Sequence, residues 1–186
     1  VQAMNHMDKE KYDIIPIYIT KDRQWYAGKM LMDIEVYKDL ELVKRYAKKV
    51  TFYNKNGEFV LQTTGFWKRV LDTIDVAFPI VHGNNAEDGT LAGYLKTIGV
   101  PTVGSDVLGS ALGQDKIVMK QVFEATGLPV VDYTWFYDCE YLAHKDEIFR
   151  DVKKMGYPVI VKPASLGSSV GIEFVKDELD LDKAVR

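Results

Sequence analysis

Three helix-like stretches of this sequence stop on a glycine, and an apolar, β-branched run follows each. GTLAGYLKTIG closes at Gly99 before VPTVG, SALGQDKIVMKQVFEATG closes at Gly127 before LPVVDYTWFY, and YLAHKDEIFRDVKKMG closes at Gly156 before YPVIV. Glycine readily takes the left-handed conformation that ends a helix. Helices that repeatedly give way to strands restrict the fold to the mixed classes, in which helices cover a sheet. Upstream, DIIPIYIT (13–20) and IDVAFPIV (74–81) read as buried strands. VTFYNKNGEFVLQT (50–63) reads as a hairpin turning at Asn56–Gly57. MLMDIEVYKDLELVKRYAKK (30–49) is ambiguous, with helical spacing strongest in its second half, and Asp177 is placed to cap a last helix.

Strands alternating with helices through residue 104 predict a parallel, open α/β sheet. Beyond it the order is helix, strand, helix, strand, strand, helix, which is α+β. The boundary falls near Ser105 and carries no Pro/Ser linker, dividing the chain into 1–104 and 105–186. An open sheet presents ligands to loops at the carboxyl ends of its strands, and HGNNAEDG follows such an end. The opening VQAMNHMDKEKY reads as a helix without its beginning and DELDLDKAVR as a helix cut short. The chain is therefore expected to be a fragment of a longer protein.

With 186 residues, 47% hydrophobic and 27% charged, the length suits one large domain or two small ones. A formal net charge of −3 provides no global basic field for nucleic acid or anionic lipid. The single cysteine, Cys139, excludes an internal disulfide framework and a multi-cysteine zinc site, and fits a reducing compartment. No apolar run approaches the roughly 20 residues of a membrane span, and the opening residues carry no signal-peptide pattern. A soluble, cytoplasmic protein is expected.

The segment richest in chemistry is VIVKPASLGSSVGIEFV (159–175). Val159 and Val161 face one way in an extended strand, Ile160 and Lys162 the other. In VGIEFV, Val170, Ile172 and Phe174 share a face, so both arms are expected to cover a core while Lys162 leaves it. Between the arms ASLGSS carries mostly small side chains. Its N–H groups can form a nest, Ser168 and Ser169 can donate, and the lysine adds compact positive charge, which together suit a polyphosphate. The P-loop pattern G-x-x-x-x-G-K-[ST] is absent. On chemistry alone two readings stand: an anion cradle, or a flexible hairpin on a sheet edge. A second lysine, Lys116, follows Asp115 on a helix and reads by itself as a solvated charge. His6 and His144 read as surface histidines, and Cys139, between acids, as an inert thiol. Trp25, Trp67 and Trp135 read as core or interface aromatics.

Taken together, HGNNAEDGTLAGYL, GVPTVGSDVLGSALGQDK and YPVIVKPASLGSSVGI resemble, in order and spacing, the D-alanine–D-alanine ligases, a family with the ATP-grasp fold. DIIPIYITKDRQWY resembles its N-terminal domain. The resemblance implies an α/β protein: a Rossmann-like N-terminal (pre-ATP-grasp) domain over 1–104, then the α+β central ATP-grasp subdomain over 105–186, with both outer edges truncated. It implies that Lys116 and Lys162 contact ATP phosphates. Gly167, Ser168, Ser169, Val170 and Gly171 match the loop that closes over phosphates and substrate, with Ser168 orienting the first D-alanine. His82 matches the histidine near the reacting carboxylate, and Glu87 and Asp88 support the substrate loop.

The implied activity is ATP-dependent joining of two D-alanines for peptidoglycan precursors through an acyl phosphate, with Mg²⁺ or Mn²⁺, in a cytoplasmic homodimer. The metal ligands and adenine pocket would lie beyond Arg186, so the chain alone is expected to be inactive. D-alanine–D-lactate or D-alanine–D-serine ligation, and a non-catalytic nucleotide-binding or dimerisation module, are the alternatives. Three positions depart from the family: Ala86 for glycine, Ala92 for glutamine, and Gln114 for methionine. A positive φ at Ala86 would cost about 1 kcal/mol relative to glycine, so the loop is expected to take an alanine-compatible shape.

Overall fold

The computed structural model describes residues 1–185. They form two compact units: Val1–Ala77 with Leu95–Thr102, and Phe78–Tyr94 with the chain from Val103 onward.

A short helix α1 (Gln2–His6) opens the first unit, which is built on one five-stranded sheet. Its strands are β1 (Ile17–Ile19), β2 (Trp25–Ala27), β3 (Lys48–Lys55), β4 (Glu58–Thr63) and β5 (Val70–Thr73), in sequence order and antiparallel throughout. The β3–β4 turn is Asn56–Gly57, at φ 56° and 94°, with Lys55 paired to Glu58. Two left-handed residues in a two-residue loop match the twist of the strands they join, which is why the asparagine–glycine pair serves here. Between β2 and β3 lie two 3-10 turns (Lys29–Met32 and Ile34–Lys38) and helix α2 (Leu40–Tyr46), capped by Asp39.

Alternation decides which side of the sheet each residue covers. On one face Ala27, Val50, Phe52 and Leu61 are buried against Ile17, Trp25 and Ile98, with Trp25 edge-on to Phe52 at 5.2 Å. On the other, Tyr18 and Tyr26 pack against Leu31, Val43 and Ala47 from the turn-and-helix segment.

The expected parallel sheet is corrected by this geometry. Parallel neighbours need a crossover of a dozen or more residues, whereas β3, β4 and β5 follow one another through short reversals. Parallel pairing survives in one place: Ala77 bridges Thr102, with Ala77 N–H donating to Pro101 O at 2.8 Å, and helix α3 (Thr90–Ile98) crosses between them. The runs 74–81 and 100–104, read as strands, thus reduce to a single bridge, and Val76, Phe78 and Ile80 are about half exposed.

The second unit contains α4 (Val107–Gln114), α5 (Lys116–Ala125), a one-turn 3-10 helix (Asp138–Glu140), α6 (Tyr141–Met155), the pair β6 (Val159–Val161) and β7 (Glu173–Val175), and α7 (Glu178–Val185). Its core is Tyr141, Ile148, Val152, Val175 and Leu181, joined by Val159 and Val161. Asp177 caps α7 as expected, accepting from Leu179 N–H at 2.9 Å. Gly99, Gly127 and Gly156 take positive φ at the ends of α3, α5 and α6.

Three expectations fail here. LPVVDYTWFY is not a strand: it has no neighbour to pair with, and Val131 is 78% exposed. The helix read over 110–127 is two helices, broken at Asp115, whose ψ of 112° is extended. Ile172 and Phe174 do not cover the core: Phe174 pairs with Ile160 across the hairpin, and both are more than half exposed. Of the tryptophans read as core or interface aromatics, Trp25 packs into the core of the first unit, and Trp67 lies 80% exposed beside Phe66 in the β4–β5 loop.

Leu61, 1% exposed in the first unit, sets a direct test. Leu61→Ala is expected to remove about 2–5 kcal/mol of unfolding free energy, read as a lower urea midpoint. A parent-like midpoint would place Leu61 outside the core.

Candidate functional site

The site residues named above lie on the second unit. HGNNAED is a tight loop organised by its own carboxylates. Glu87 accepts the Gly83 N–H at 2.7 Å, and its other oxygen lies 3.5 Å from His82 Nδ1. Asp88 accepts from Asn85 N–H at 2.8 Å and caps α3 through Thr90 N–H at 2.9 Å. Partial burial pushes the Asp88 carboxyl up, but bonds from Thr90 and Asn85 outweigh it and hold the group below its ordinary value of 3.8. The left-handed positions are Gly83, Asn85 and Gly89, so Ala86 is spared a positive φ, as expected. Gly89 has no room for a side chain: a Cβ there would lie 2.8 Å from Val107 O on α4.

The break at Asp115 puts Lys116 at the first position of α5. Asp115 caps the helix, accepting from Ile117 and Val118 N–H at 2.9 and 3.0 Å. The Lys116 ammonium turns back from the helix and donates to three carbonyls of the β6–β7 loop. These are Pro163 O at 3.0 Å, Ala164 O at 3.2 Å and Leu166 O at 2.5 Å. Lys116 N–H also donates to Ala164 O, at 3.0 Å. Gln114, the last residue of α4, donates through Nε2 to Ser165 O at 2.8 Å.

Beyond this anchored stem the loop curls. Ser168 and Ser169 stand at φ 51° and 60°, and Val170 N–H donates to Gly167 O at 3.1 Å, a turn with both central residues left-handed. Such φ values cost roughly 1 kcal/mol or more per non-glycine residue. Gly171 follows at φ 68°, and a Cβ on it would meet Pro163 Cγ at 2.7 Å. The loop approaches HGNNAED as well: a Cβ on Gly167 would lie 3.6 Å from Glu87 Oε2. Thus His82, Glu87, Gly167 and the Lys116-held stem form one neighbourhood, with Asp88 bracing it. Lys162, Ser168, Ser169 and Val170 are exposed. Among the described residues the Lys162 ammonium and the Ser168 and Ser169 hydroxyls make no hydrogen bond, and no group of three or more His, Cys, Asp or Glu could hold a metal ion. Sequence reasoning noticed Gln114 only as an oddity. Its signal was its place, directly before the capping aspartate.

Comparison with known proteins agrees with this architecture. Structural matches include the D-alanine–D-alanine ligase of Coxiella burnetii, at TM-score 0.74 and 30% identity over 97% of this chain and 52% of that one. The VanG D-Ala:D-Ser ligase of Enterococcus faecalis matches at TM-score 0.75 and 29% identity, over 98% of this chain and 51% of the other. The fold is that of the ATP-grasp ligases, mixed α/β with an antiparallel sheet. Family models for the N-terminus and the C-terminus of D-ala D-ala ligase match residues 1–105 and 122–186. The D-alanine–D-alanine ligase of Thermosipho melanesiensis is 38% identical over all of this chain and 49% of its own length. The chain belongs to the D-alanine–D-alanine ligase family, and spans about half the length of the curated relatives it matches.

Two tests follow from the local geometry. Gly171→Ala combines a disfavoured φ with a clash against the Pro163 ring, so it should displace the loop and speed exchange of the Val170 amide severalfold. Parent-like exchange would contradict the close approach. The Asp88 bonds stabilise the loop fully above the unfolded carboxyl value and are lost as pH falls through the lower folded value. Acid titration of the Asn85 and Thr90 amide signals should therefore show a midpoint below 3.8. A midpoint at or above it would remove the bonds from solution.

Proposed function

We propose that the second unit grips the phosphates of ATP for an ATP-dependent D-alanine–D-alanine ligase acting in peptidoglycan precursor synthesis. The observation that carries this reading is the juxtaposition at the loop: a lysine ammonium without a partner beside a curled run whose hydroxyls and N–H groups, that of Val170 excepted, are likewise unpaired among the described residues. Unpaired donors of that density suit a multiply charged oxyanion. Lys116, Lys162 and the loop N–H groups offset the charge of ATP phosphates. His82, held towards Glu87, stands where it can donate to a substrate carboxylate, and Ser168 orients the first D-alanine.

Joining a carboxylate to an amine at neutral pH requires a better leaving group than hydroxide. The γ-phosphoryl group of ATP passes to the carboxylate oxygen of one D-alanine, giving an acyl phosphate and ADP. The amine of the second D-alanine attacks the acyl carbon, loses a proton, and phosphate departs. What this chain contributes is position and positive potential around the transferred group, together with a loop that excludes water from the acyl phosphate. Mg²⁺ or Mn²⁺ accompanies the nucleotide, and a cytoplasmic homodimer acts on small molecules rather than nucleic acid or membrane; no helix among the described residues is long and apolar enough to cross a membrane. The division into a domain of 1–104 and another of 105–186 belongs to the same reading.

The test is phosphate release with ATP and D-alanine by a polypeptide carrying this chain at the full length of its relatives. D-serine and D-lactate serve as competing second substrates. Release that requires D-alanine alone supports the reading, while preference for D-serine or D-lactate identifies the related ligases. Lys162→Ala should lower turnover by about an order of magnitude or more through lost stabilisation of transferred charge. Ser168→Ala should raise the KM for D-alanine more than that for ATP. Parent-like kinetics in both variants would remove the loop from the active site.

A further inference from the structure

We propose that Gln114 is a positioning residue for the loop, completing a clamp that turns four consecutive peptide groups outwards as an anion-facing row. The carbonyls of Pro163, Ala164, Ser165 and Leu166 all accept from the α4–α5 junction. The first, second and fourth are held by Lys116, and the third by Gln114. In a trans peptide the N–H points opposite to its own carbonyl, and the only cis bond among the described residues is Tyr157–Pro158. Fixing these four carbonyls therefore turns the N–H groups of Ala164, Ser165, Leu166 and Gly167 away from the junction. None of the four has an acceptor among the described residues.

The chemistry of the clamp explains why both residues are needed. An ammonium has three protons, and Lys116 uses its side chain on Pro163, Ala164 and Leu166. The Ser165 carbonyl lies within the span and receives nothing from it. Gln114, half-buried one residue before the helix break, supplies the missing donor without adding charge. Methionine, of similar length, fills the same space but donates nothing. The peptide between Ser165 and Leu166 would then be free to rotate, and with it the Leu166 N–H in the middle of the row. The Lys116 ammonium polarises three of the four peptide groups, and Gln114 holds the fourth in line with them.

This inference rests on the nucleotide reading above, and the experiment separates the two. Gln114→Met is compared with the parent, in a polypeptide carrying this chain at the full length of its relatives, by nitrogen-15 relaxation of the ligand-free protein and by calorimetric titration with ATP. The Leu166 amide should lose order, its order parameter falling below about 0.6, and the ATP dissociation constant should rise about three- to tenfold, the worth of one hydrogen bond. Ser165 is exposed, so water takes over its carbonyl and the urea midpoint should stay parent-like, an outcome that a merely structural role would not produce. Gln114→Ala, which also lacks the donor, is expected to behave alike. Parent-like order at Leu166 in either folded variant would overturn the clamp. A more mobile Leu166 amide with unaltered ATP affinity would overturn its role in positioning. A parent that binds no ATP would overturn the nucleotide reading instead, leaving amide order to decide the clamp.

Discussion

A lysine at the start of a helix is electrostatically misplaced, because the helix presents its own positive end there. Lys116 is nevertheless at the first position of α5, and the contacts to the loop carbonyls make that position tenable. The interaction links three otherwise separate facts. The helix expected over 110–127 breaks at Asp115 because that residue must leave helical geometry to cap α5. The break aims the Lys116 side chain back across the chain. The β6–β7 loop, too long for a hairpin turn, keeps a defined stem because its carbonyls have a cation to face. Removing the charge would leave carbonyls turned inward towards nothing, which is the costly half of breaking such an arrangement.

The stem and the tip of the loop are therefore held by different means. At the stem, side chains from the α4–α5 junction grip main-chain oxygens. At the tip, Ser168, Ser169 and Gly171 curve the chain through left-handed conformations, closing it down on Pro163. Glu87 stands between this curve and His82, with one oxygen near the imidazole and the other on the Gly83 amide. The HGNNAED loop and the glycine-rich loop thus share a carboxylate neighbourhood, although they lie some eighty residues apart in the chain. Asp88 and Gly89 hold the first of these loops against α3 and α4.

Local signals in the sequence were legible where a single residue's own chemistry decides the backbone. Gly99, Gly127 and Gly156 end their helices, Asn56–Gly57 turns its hairpin, and Asp177 caps α7, because each requirement is met within a few residues. The ordered motifs single out His82, Glu87, Lys116 and the 162–171 loop, the residues to which the proposed function assigns the site. Strand direction was not legible, since an apolar β-branched run reads alike whichever way its neighbour points. The runs 74–81, 100–104 and 128–137 carried strand composition, yet a strand needs a partner, and only Ala77 and Thr102 find one. The outward turn of Ile172 and Phe174 was hidden for a related reason: period-two alternation names two faces but not which one meets the core. The part proposed for Gln114 was not legible, because its partner, the Ser165 carbonyl, is a main-chain atom fifty-one positions away.

The handedness of Ser168 and Ser169 has a bearing on how this loop tolerates variation. By side-chain chemistry threonine is the nearest substitute for serine, offering the same hydroxyl. Its second branch at Cβ, however, crowds the backbone in the left-handed region, where glycine and asparagine sit more easily. Exchange tables that rank threonine above glycine would thus misjudge both positions. The loop screens its replacements by backbone shape before function ever consults the side chain.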